Sequence, residues 1–161
     1  MMKKDIFIDN NVASKFSNPQ DKEYIKLTQW LLKFDDKDIE NKDNYAHLVV
    51  SNKLLNEYCR SAQNATSNTS IPIIINKLLQ DGRLVKISNE EIKIFRTTHF
   101  TKTVERKLRS NSEDRDHIPL ILLSDRKYAL TLDDNLKYDL ENFSGFSCKV
   151  EKKPENLPYK E

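Results

Sequence analysis

Four acidic side chains in this 161-residue sequence are placed where they could together hold a metal ion. Asp9 and Asp133 each follow a short apolar segment, whereas Glu57 and Asp116 lie near the starts of predicted helices. Carboxylates that lie close together repel one another, which raises at least one pKa unless a cation lies between them. Mg²⁺ or Mn²⁺ is the natural cation for a site of oxygen ligands. Such an ion can activate a water molecule and stabilise charge on a phosphoryl oxygen, so the four acids indicate phosphate-ester chemistry.

The composition excludes several other common kinds of catalytic site. The chain has only two glycines, Gly82 and Gly145, so it lacks the glycine-rich loops that bind dinucleotides or nucleotide phosphates, and also the GxSxG turn of a serine hydrolase. Its two cysteines and three histidines do not match the multi-cysteine zinc patterns, and the sequence contains no HExxH. Carboxylates, hydroxyls and amides are left to carry the chemistry.

Alternating strands and helices are expected to position these acids. β-rich apolar segments predict strands at 5–9, 47–50, 84–87, 128–133 and 146–150. Helical spacing and capping residues predict helices at 19–34, from Ser51 onward, at 71–80, from Ser88 onward, at 101–109, through 118–123 and at 135–142. This order is typical of a three-layer α/β/α fold with a mainly parallel central sheet. In such a sheet, functional residues gather at the carboxyl ends of the strands.

Local signals refine this outline. Asn18 followed by Pro19 predicts a capped helix start, and the polar segments 35–44 and 61–70 predict loops. Residues 1–151 are expected to form one domain, and 152–161, which contain two prolines, a flexible C-terminal tail.

Four segments resemble the sequence motifs of the PIN-domain nucleases. Ile6–Val12 is similar to the opening strand of that family, Ser51–Tyr58 to a helix with an inward glutamate, Asp116–Ile121 to an aspartate before an apolar helix, and Leu130–Leu136 to a strand that ends Thr-x-Asp. The resemblance covers about residues 5–150. It implies a PIN-like domain over 1–151 that acts as an endoribonuclease, hydrolysing RNA phosphodiester bonds with Mg²⁺ or Mn²⁺. Many members of the family are toxins, so it also implies an antitoxin partner and a homodimer.

The resemblance also assigns roles to individual residues. Asp9, Glu57, Asp116 and Asp133 correspond to the catalytic metal ligands of the family. Two further residues support the site: Thr131 is expected to position the fourth acid, and Asn10 to orient a water molecule or a phosphate.

The third and fourth motifs leave the choice of acid open. Glu113 and Asp114 precede Asp116, which fits best because the apolar face of the helix follows it. Asp114 is a helix cap or a second ligand in this interpretation. In the fourth motif Asp134 is adjacent to Asp133, and Thr131 two residues earlier favours Asp133 as the ligand.

A basic segment is the predicted nucleic-acid contact. The net charge of the chain is only +2, and an acidic pocket within a basic rim is compatible with that value. Cations are expected to bind the RNA backbone because phosphate contacts dominate the affinity of nucleic-acid complexes. The candidates are Lys102, Arg106, Lys107, Arg109, Arg115 and Arg126. The alternative interpretation of this segment is a solvated helix face.

Two other functions and a cellular location complete the expectations. The domain is alternatively a catalytically weak PIN-like module that binds nucleic acid or protein, or a phosphohydrolase of small molecules. An acid taken singly is often a helix cap rather than a ligand. No signal peptide is apparent, and the longest apolar runs are far below the ~20 residues of a membrane span. A cytoplasmic, soluble protein is therefore expected, with no membrane partner.

Overall fold

The computed structural model describes residues 2–17, 20–62 and 69–161. In these residues five strands form one all-parallel sheet: β1 (Lys4–Ile8), β2 (Ala46–Val50), β3 (Leu84–Lys86), β4 (Tyr128–Leu130) and β5 (Lys149–Glu151). The helices are α1 (Asn10–Ala13), α2 (Lys22–Leu32), α3 (Asn52–Ser61), α4 (Ile71–Gln80), α5 (Asn89–His99), α6 (Lys102–Lys107), α7 (His117–Leu123) and α8 (Asp134–Glu141). Short 3₁₀ helices cover Ser14–Ser17, Asp36–Asn44, Asp114–Asp116 and Pro154–Asn156.

The sheet has the strand order β3-β2-β1-β4-β5, so β1 lies at its centre. Every residue of β2 is buried, as are the last four of β1, which is the burial expected of a parallel sheet covered by helices. Helices α2 and α4 pack on each other and against β2 and β3, while α7 packs against β1 and β2 with α5 beside it. The predicted three-layer α/β/α fold with a parallel central sheet is confirmed.

The register between β1 and β4 brings two predicted site residues to one edge. Ile8 is paired with Leu130, and the backbone N–H of Asp9 donates to the carbonyl of Leu130 at 2.9 Å. The chain therefore leaves both strands at the same level, at the carboxyl edge of the sheet. Asp9 lies directly beyond β1 and Asp133 three residues beyond β4.

Two predicted helix caps are present, and one predicted strand is shorter than expected. The hydroxyl of Ser51 accepts from the N–H of Leu54 at 3.1 Å, and that of Ser88 from the N–H of Glu91 at 3.1 Å. The strand predicted over 128–133 ends at Leu130. It ends there because the chain turns so that Asp133 caps α8.

The strand predicted over 146–150 is also shorter and later, since β5 covers Lys149–Glu151, and further differences lie between the regular elements. Helix α2 begins at Lys22 with Asp21 as its cap, and the predicted start at 18–19 lies outside the described residues, as does most of the predicted loop 61–70. The predicted loop 35–44 contains the 3₁₀ helix Asp36–Asn44. In the part of the chain that the structure describes, none of the helices is both long and apolar enough to span a bilayer.

The C-terminal residues are packed against the domain, unlike the flexible tail expected from the sequence. Leu157 and Tyr159 are buried, and the ring of Tyr159 makes an edge contact with Trp30 at a centroid distance of 4.9 Å. Arg126 donates from Nη1 to the carbonyl of Tyr159 at 2.9 Å. Apolar burial and this hydrogen bond fix the segment, which its prolines and charges had suggested would be loose.

Candidate metal centre

Asp9 is a buried carboxylate held by a hydroxyl from the neighbouring strand end. Its side chain is only 6% exposed, and Oδ2 accepts from the hydroxyl of Thr131 at 2.6 Å. Burial raises the pKa of Asp9, while the Thr131 hydrogen bond and nearby His117 act in the opposite direction. The predicted positioning residue Thr131 therefore contacts Asp9 with its side chain. Its hydroxyl also accepts from the backbone N–H of Asp133 at 3.1 Å, which links the two acids.

Asp114 and Asp133 are hydrogen-bonded to each other, within electrostatic reach of Asp9. Asp133 caps α8, since its Oδ1 accepts from the N–H groups of Asn135 at 2.8 Å and Leu136 at 3.2 Å. Burial, the negative charges of Asp9 and Asp133, and a hydrogen bond with Asp133 raise the pKa of Asp114 to about 6. The ionised form of Asp114 is therefore disfavoured by the neighbouring negative charges, and a bound cation would remove this repulsion.

Glu57 faces the same cluster from α3 and is held by a buried histidine. Nε2 of His117 lies 3.2 and 3.1 Å from the two carboxylate oxygens of Glu57. His117 has no solvent exposure and contacts the ring of Phe7 in β1, so its position is fixed by the core. The negative charge of Glu57 acts to raise the pKa of Asp9, which places Glu57 within electrostatic reach of the cluster.

Asp116 is engaged elsewhere, unlike the other three predicted ligands. Its Oδ1 accepts from Nη1 of Arg96, and its Oδ2 lies 3.4 Å from Nζ of Lys53. The reason is local geometry: Asp114–Asp116 form a 3₁₀ turn, in which residues two apart point in different directions. Asp114, rather than Asp116, is thereby directed to the cluster.

The donor chemistry of the cluster fits a hard divalent cation. Asp9, Asp114, Asp133 and Glu57 offer only oxygen atoms, the ligands that Mg²⁺ and Mn²⁺ prefer. In the conformation described, no three acidic, histidine or cysteine side chains of residues 2–17, 20–62 and 69–161 are arranged around one point that could hold an ion. Binding an ion would therefore need side-chain rotation within a cluster whose charges favour it.

The remaining supporting residues are only partly directed at the cluster. Oδ1 of Asn10 accepts from the hydroxyl of Ser61 at 2.7 Å, which joins α1 to α3. Asn11, which sequence reasoning did not select, accepts from the N–H of Leu132 at 3.1 Å and donates to Asp9 at 3.4 Å. Asp134 is exposed and forms an ion pair with Lys152, so it is directed away from Asp9.

The predicted basic contacts occupy four different environments. Arg126 lies at the amino edge of the sheet, where Nε donates to the carbonyl of Asp5 at 3.1 Å, so it does not lie beside the carboxylates. The guanidinium of Arg109 stacks on the ring of Tyr138 at 3.5 Å. Arg115 donates from Nε to the carbonyl of Ser110 at 3.1 Å. The three exposed cations of α6 are Lys102, Arg106 and Lys107.

A cavity of about 650 Å³ lies between α6 and α8, and none of the acids of the candidate metal centre lines it. Its lining includes Lys107, Tyr138 and the buried Asp139, which accepts from the backbone N–H groups of Arg109 and Ser110. Because Asp139 is already bonded to that loop, its burial has a structural explanation.

Besides Asn11, three residues beside the site were not selected from the sequence. Lys53 precedes Glu57 by one helical turn, and that spacing alone could have indicated it. His117 adjoins Asp116, but nothing in the sequence connects it with Glu57, 60 positions away. Arg96 reaches Asp116 only through the packing of α5 on α7, for which the sequence carries no local signal.

Comparison with known proteins supports the fold and gives no information on the chemistry of the site. No protein-family model matches the sequence, and no curated protein is similar to it by sequence. Among solved structures, the fold is similar to that of a chain in the crystal structure of VapBC2 from Rickettsia felis bound to a DNA fragment from their promoter, with a TM-score of 0.51. The two chains are 12% identical, and the match covers 91% of this chain and 98% of the other. The similarity extends over nearly the whole chain and concerns its fold.

Proposed function

We propose that the protein is a Mg²⁺- or Mn²⁺-dependent endoribonuclease that hydrolyses RNA phosphodiester bonds. The observation that carries this proposal is the mutual influence of neighbouring acids at the carboxyl edge of the sheet: the charge of Glu57 acts on Asp9, and those of Asp9 and Asp133 act on Asp114, whose pKa is raised to about 6. In a parallel sheet this edge is the usual place for a ligand. The similarity of four segments to PIN-domain nucleases supports the same activity. Asp114 replaces Asp116 in the proposed ligand set.

Each residue of the site has a separate task in this proposal. When bound, the divalent ion would activate a water molecule and stabilise charge on the phosphoryl oxygen. Thr131 orients Asp9 through its hydroxyl, and His117 holds both oxygens of Glu57. The two N–H groups at the start of α8 orient Asp133.

The similarity to a chain of the VapBC2 structure supports a role as the toxin of a toxin–antitoxin pair. The antitoxin would be a separate protein that binds this chain. Co-expression with a small neighbouring gene, followed by co-purification, tests this part of the proposal independently of the chemistry.

Replacement of Asp9 tests the nuclease activity. Asp9→Asn is expected to abolish RNA cleavage in the presence of Mn²⁺, because a neutral amide removes a charged ligand from the cluster. The variant should fold, since burial already disfavours the ionised carboxylate and the amide has the same shape. Cleavage of a labelled RNA by the purified protein is the measurement, with circular dichroism as the check of folding.

Asp36→Asn is the matched control. Asp36 is an exposed acid in the 3₁₀ helix that precedes β2, far from the carboxyl edge, so its loss should leave cleavage unchanged. If the folded wild-type protein leaves the RNA intact with every divalent metal tested, the proposed nuclease activity is refuted.

One observation favours a second candidate, a catalytically weak module that binds nucleic acid or protein. Both oxygens of Glu57 are engaged by His117, and both oxygens of Asp116 by cations, so two of the four predicted ligands already have partners. Calorimetric titration with Mn²⁺ separates the two candidates. Absence of metal binding together with retained RNA binding would favour the binding module.

A further inference from the structure

A basic groove lies next to the carboxylates, on the side of Glu57. It encloses about 380 Å³ between α3, α5 and the turn before α7. Three cations line it, Lys53, Lys93 and Arg96, together with one acid, Asp116. The groove therefore carries an excess of positive charge, in contrast to the cluster of acids beside it.

Asp116 fixes the two inner cations of the basic groove. Arg96 donates to one oxygen of Asp116, and Lys53 lies 3.4 Å from the other. Lys53 also donates to the carbonyl of Glu113, so its ammonium group has a defined position. Lys93 is exposed on α5 beside them. Charged groups that are held before a ligand arrives bind it with less loss of conformational freedom.

The basic groove adjoins the candidate metal centre through two direct connections. Lys53 and Glu57 lie one turn apart on α3, which places them on the same face of the helix. Asp116 is adjacent in sequence to His117, which contacts Glu57. A chain of phosphates that reaches the carboxylates would therefore pass close to these cations.

Phosphate binding beside an acidic site requires cations that the carboxylates do not supply. Arg126 lies at the opposite edge of the sheet, and Arg109 is stacked on Tyr138. We infer that Lys53, Lys93 and Arg96 bind a phosphate of the RNA backbone adjacent to the one that is cleaved. This inference rests on the proposed function for the identity of the ligand. In it, Asp116 holds the cations in place and does not bind metal.

Binding of a labelled single-stranded RNA in the presence of EDTA tests the basic groove without metal or cleavage. Lys93→Gln and Arg96→Gln are each expected to weaken binding roughly tenfold at low salt. Each should also reduce the dependence of log affinity on log salt concentration by about 0.7, the contribution of one phosphate contact on a single strand. Lys93 is exposed, so its replacement carries little risk to folding.

Lys33→Gln is the matched control. It removes one exposed positive charge at the end of α2, at the amino edge of the sheet, and should leave affinity and salt dependence unchanged. An equal loss of RNA affinity in Lys93→Gln, Arg96→Gln and Lys33→Gln would reflect net charge alone and would overturn the inference. Wild-type protein that does not bind RNA at low salt would overturn it as well.

Replacement of Asp116 separates this inference from the metal-ligand role assigned by resemblance. Asp116→Asn removes the charge that holds Lys53 and Arg96 in position, so RNA is expected to bind about threefold less tightly in EDTA, while Mn²⁺ binding measured by calorimetry stays the same. Unchanged or tighter RNA binding, or a loss of Mn²⁺ binding, would overturn the inference. Neither measurement depends on cleavage. A protein that does not cleave RNA would therefore refute the proposed nuclease activity, while the binding of RNA in the basic groove could still be tested.

Discussion

At the scale of single residues, two aspartates separated by one position have opposite environments. Asp114 lies among other acids and has a pKa of about 6, whereas Asp116 lies between two cations. The difference arises because the 3₁₀ turn before α7 directs them to different sides. Under the proposed function, the charge of Asp114 would favour binding of a cation, whereas without a cation the same charge lowers the stability of the fold.

Replacement of Asp114 is expected to stabilise the metal-free protein at neutral pH. The folded-state pKa of about 6 lies above the ordinary value of 3.8, so the folded state holds the proton more tightly. Ionisation therefore destabilises the fold progressively as pH rises between these two values, and fully above the higher one. Asp114→Asn removes this penalty, so its melting temperature in EDTA should exceed that of the wild type near neutral pH.

The pH dependence distinguishes this effect from a change in packing. Below pH 4 both proteins carry a neutral side chain at this position, and the difference in melting temperature should largely vanish. The same substitution should weaken Mn²⁺ binding in calorimetry. An equal stabilisation at both pH values would contradict the electrostatic explanation.

The choice between these two aspartates could not be made from the sequence. Apolar spacing placed the buried face of α7 correctly, because Ile118, Leu120 and Ile121 are all in the core. Extending that α-helical phase backwards selected Asp116. Residues two apart point to opposite sides in a 3₁₀ turn and in an α-helix alike, so only one of the two aspartates can face the acids. Which one does so depends on contacts with Arg96 and Lys53, which an apolar pattern does not contain.

At the scale of elements, the parallel strands made the central part of the site predictable. Asp9 and Asp133 follow neighbouring parallel strands, so their proximity depends only on the strand order. The orientation of α3 is equally local, since Ser51 caps it and Glu57 lies on its second turn. The packing of α5 against α7, which brings Arg96 to the site, depends on contacts between distant parts of the chain and could not be predicted.

Loss of the α3 cap is expected to affect both stability and metal binding. Ser51→Ala removes the acceptor for the N–H of Leu54 at a buried position and should lower the free energy of unfolding by about 1 kcal/mol. The first turn of the helix that carries Glu57 would then be less ordered, so Mn²⁺ affinity should decrease. Urea unfolding and calorimetry are the two measurements.

Thr101→Ala is the matched control for this effect. Thr101 caps α6 in the same way, by accepting from the N–H of Val104 at 3.2 Å, but α6 carries none of the four acids of the candidate metal centre. A similar loss of stability without a change in Mn²⁺ affinity is expected. Equal changes in affinity for both variants would show that the Ser51 cap has no specific connection with Glu57.

At the scale of the whole molecule, different groups lie at the two edges of the sheet. The carboxyl edge carries the acids and the basic groove, whereas the amino edge holds the C-terminal residues. There Asp5 accepts from the backbone N–H groups of Asp125 and Arg126, and Arg126 in turn donates to Tyr159. The sequence did not predict this arrangement, because prolines and charged residues after residue 151 are typical of a flexible tail. Two apolar residues among them, Leu157 and Tyr159, are nevertheless buried.

Replacement of Tyr159 is expected to reduce stability without changing the site. Tyr159→Ala removes a buried ring in contact with Trp30 and should lower the free energy of unfolding by roughly 3 kcal/mol. RNA binding and Mn²⁺ affinity should be unchanged at temperatures well below the melting transition. An unaltered unfolding curve would indicate that the C-terminal segment is not packed in solution.

The anchoring of the last residues has a practical consequence for experiments with this chain. Lys4, at the start of the central strand, donates to the carbonyl of Lys160, so the end of the described chain leaves from the amino edge. A biotin or affinity tag attached after Glu161 would couple the molecule to a sensor chip with the acids and the basic groove turned toward the flowing solution. Immobilised in this orientation, the protein would present the same accessible face in every copy to RNA or to a partner protein.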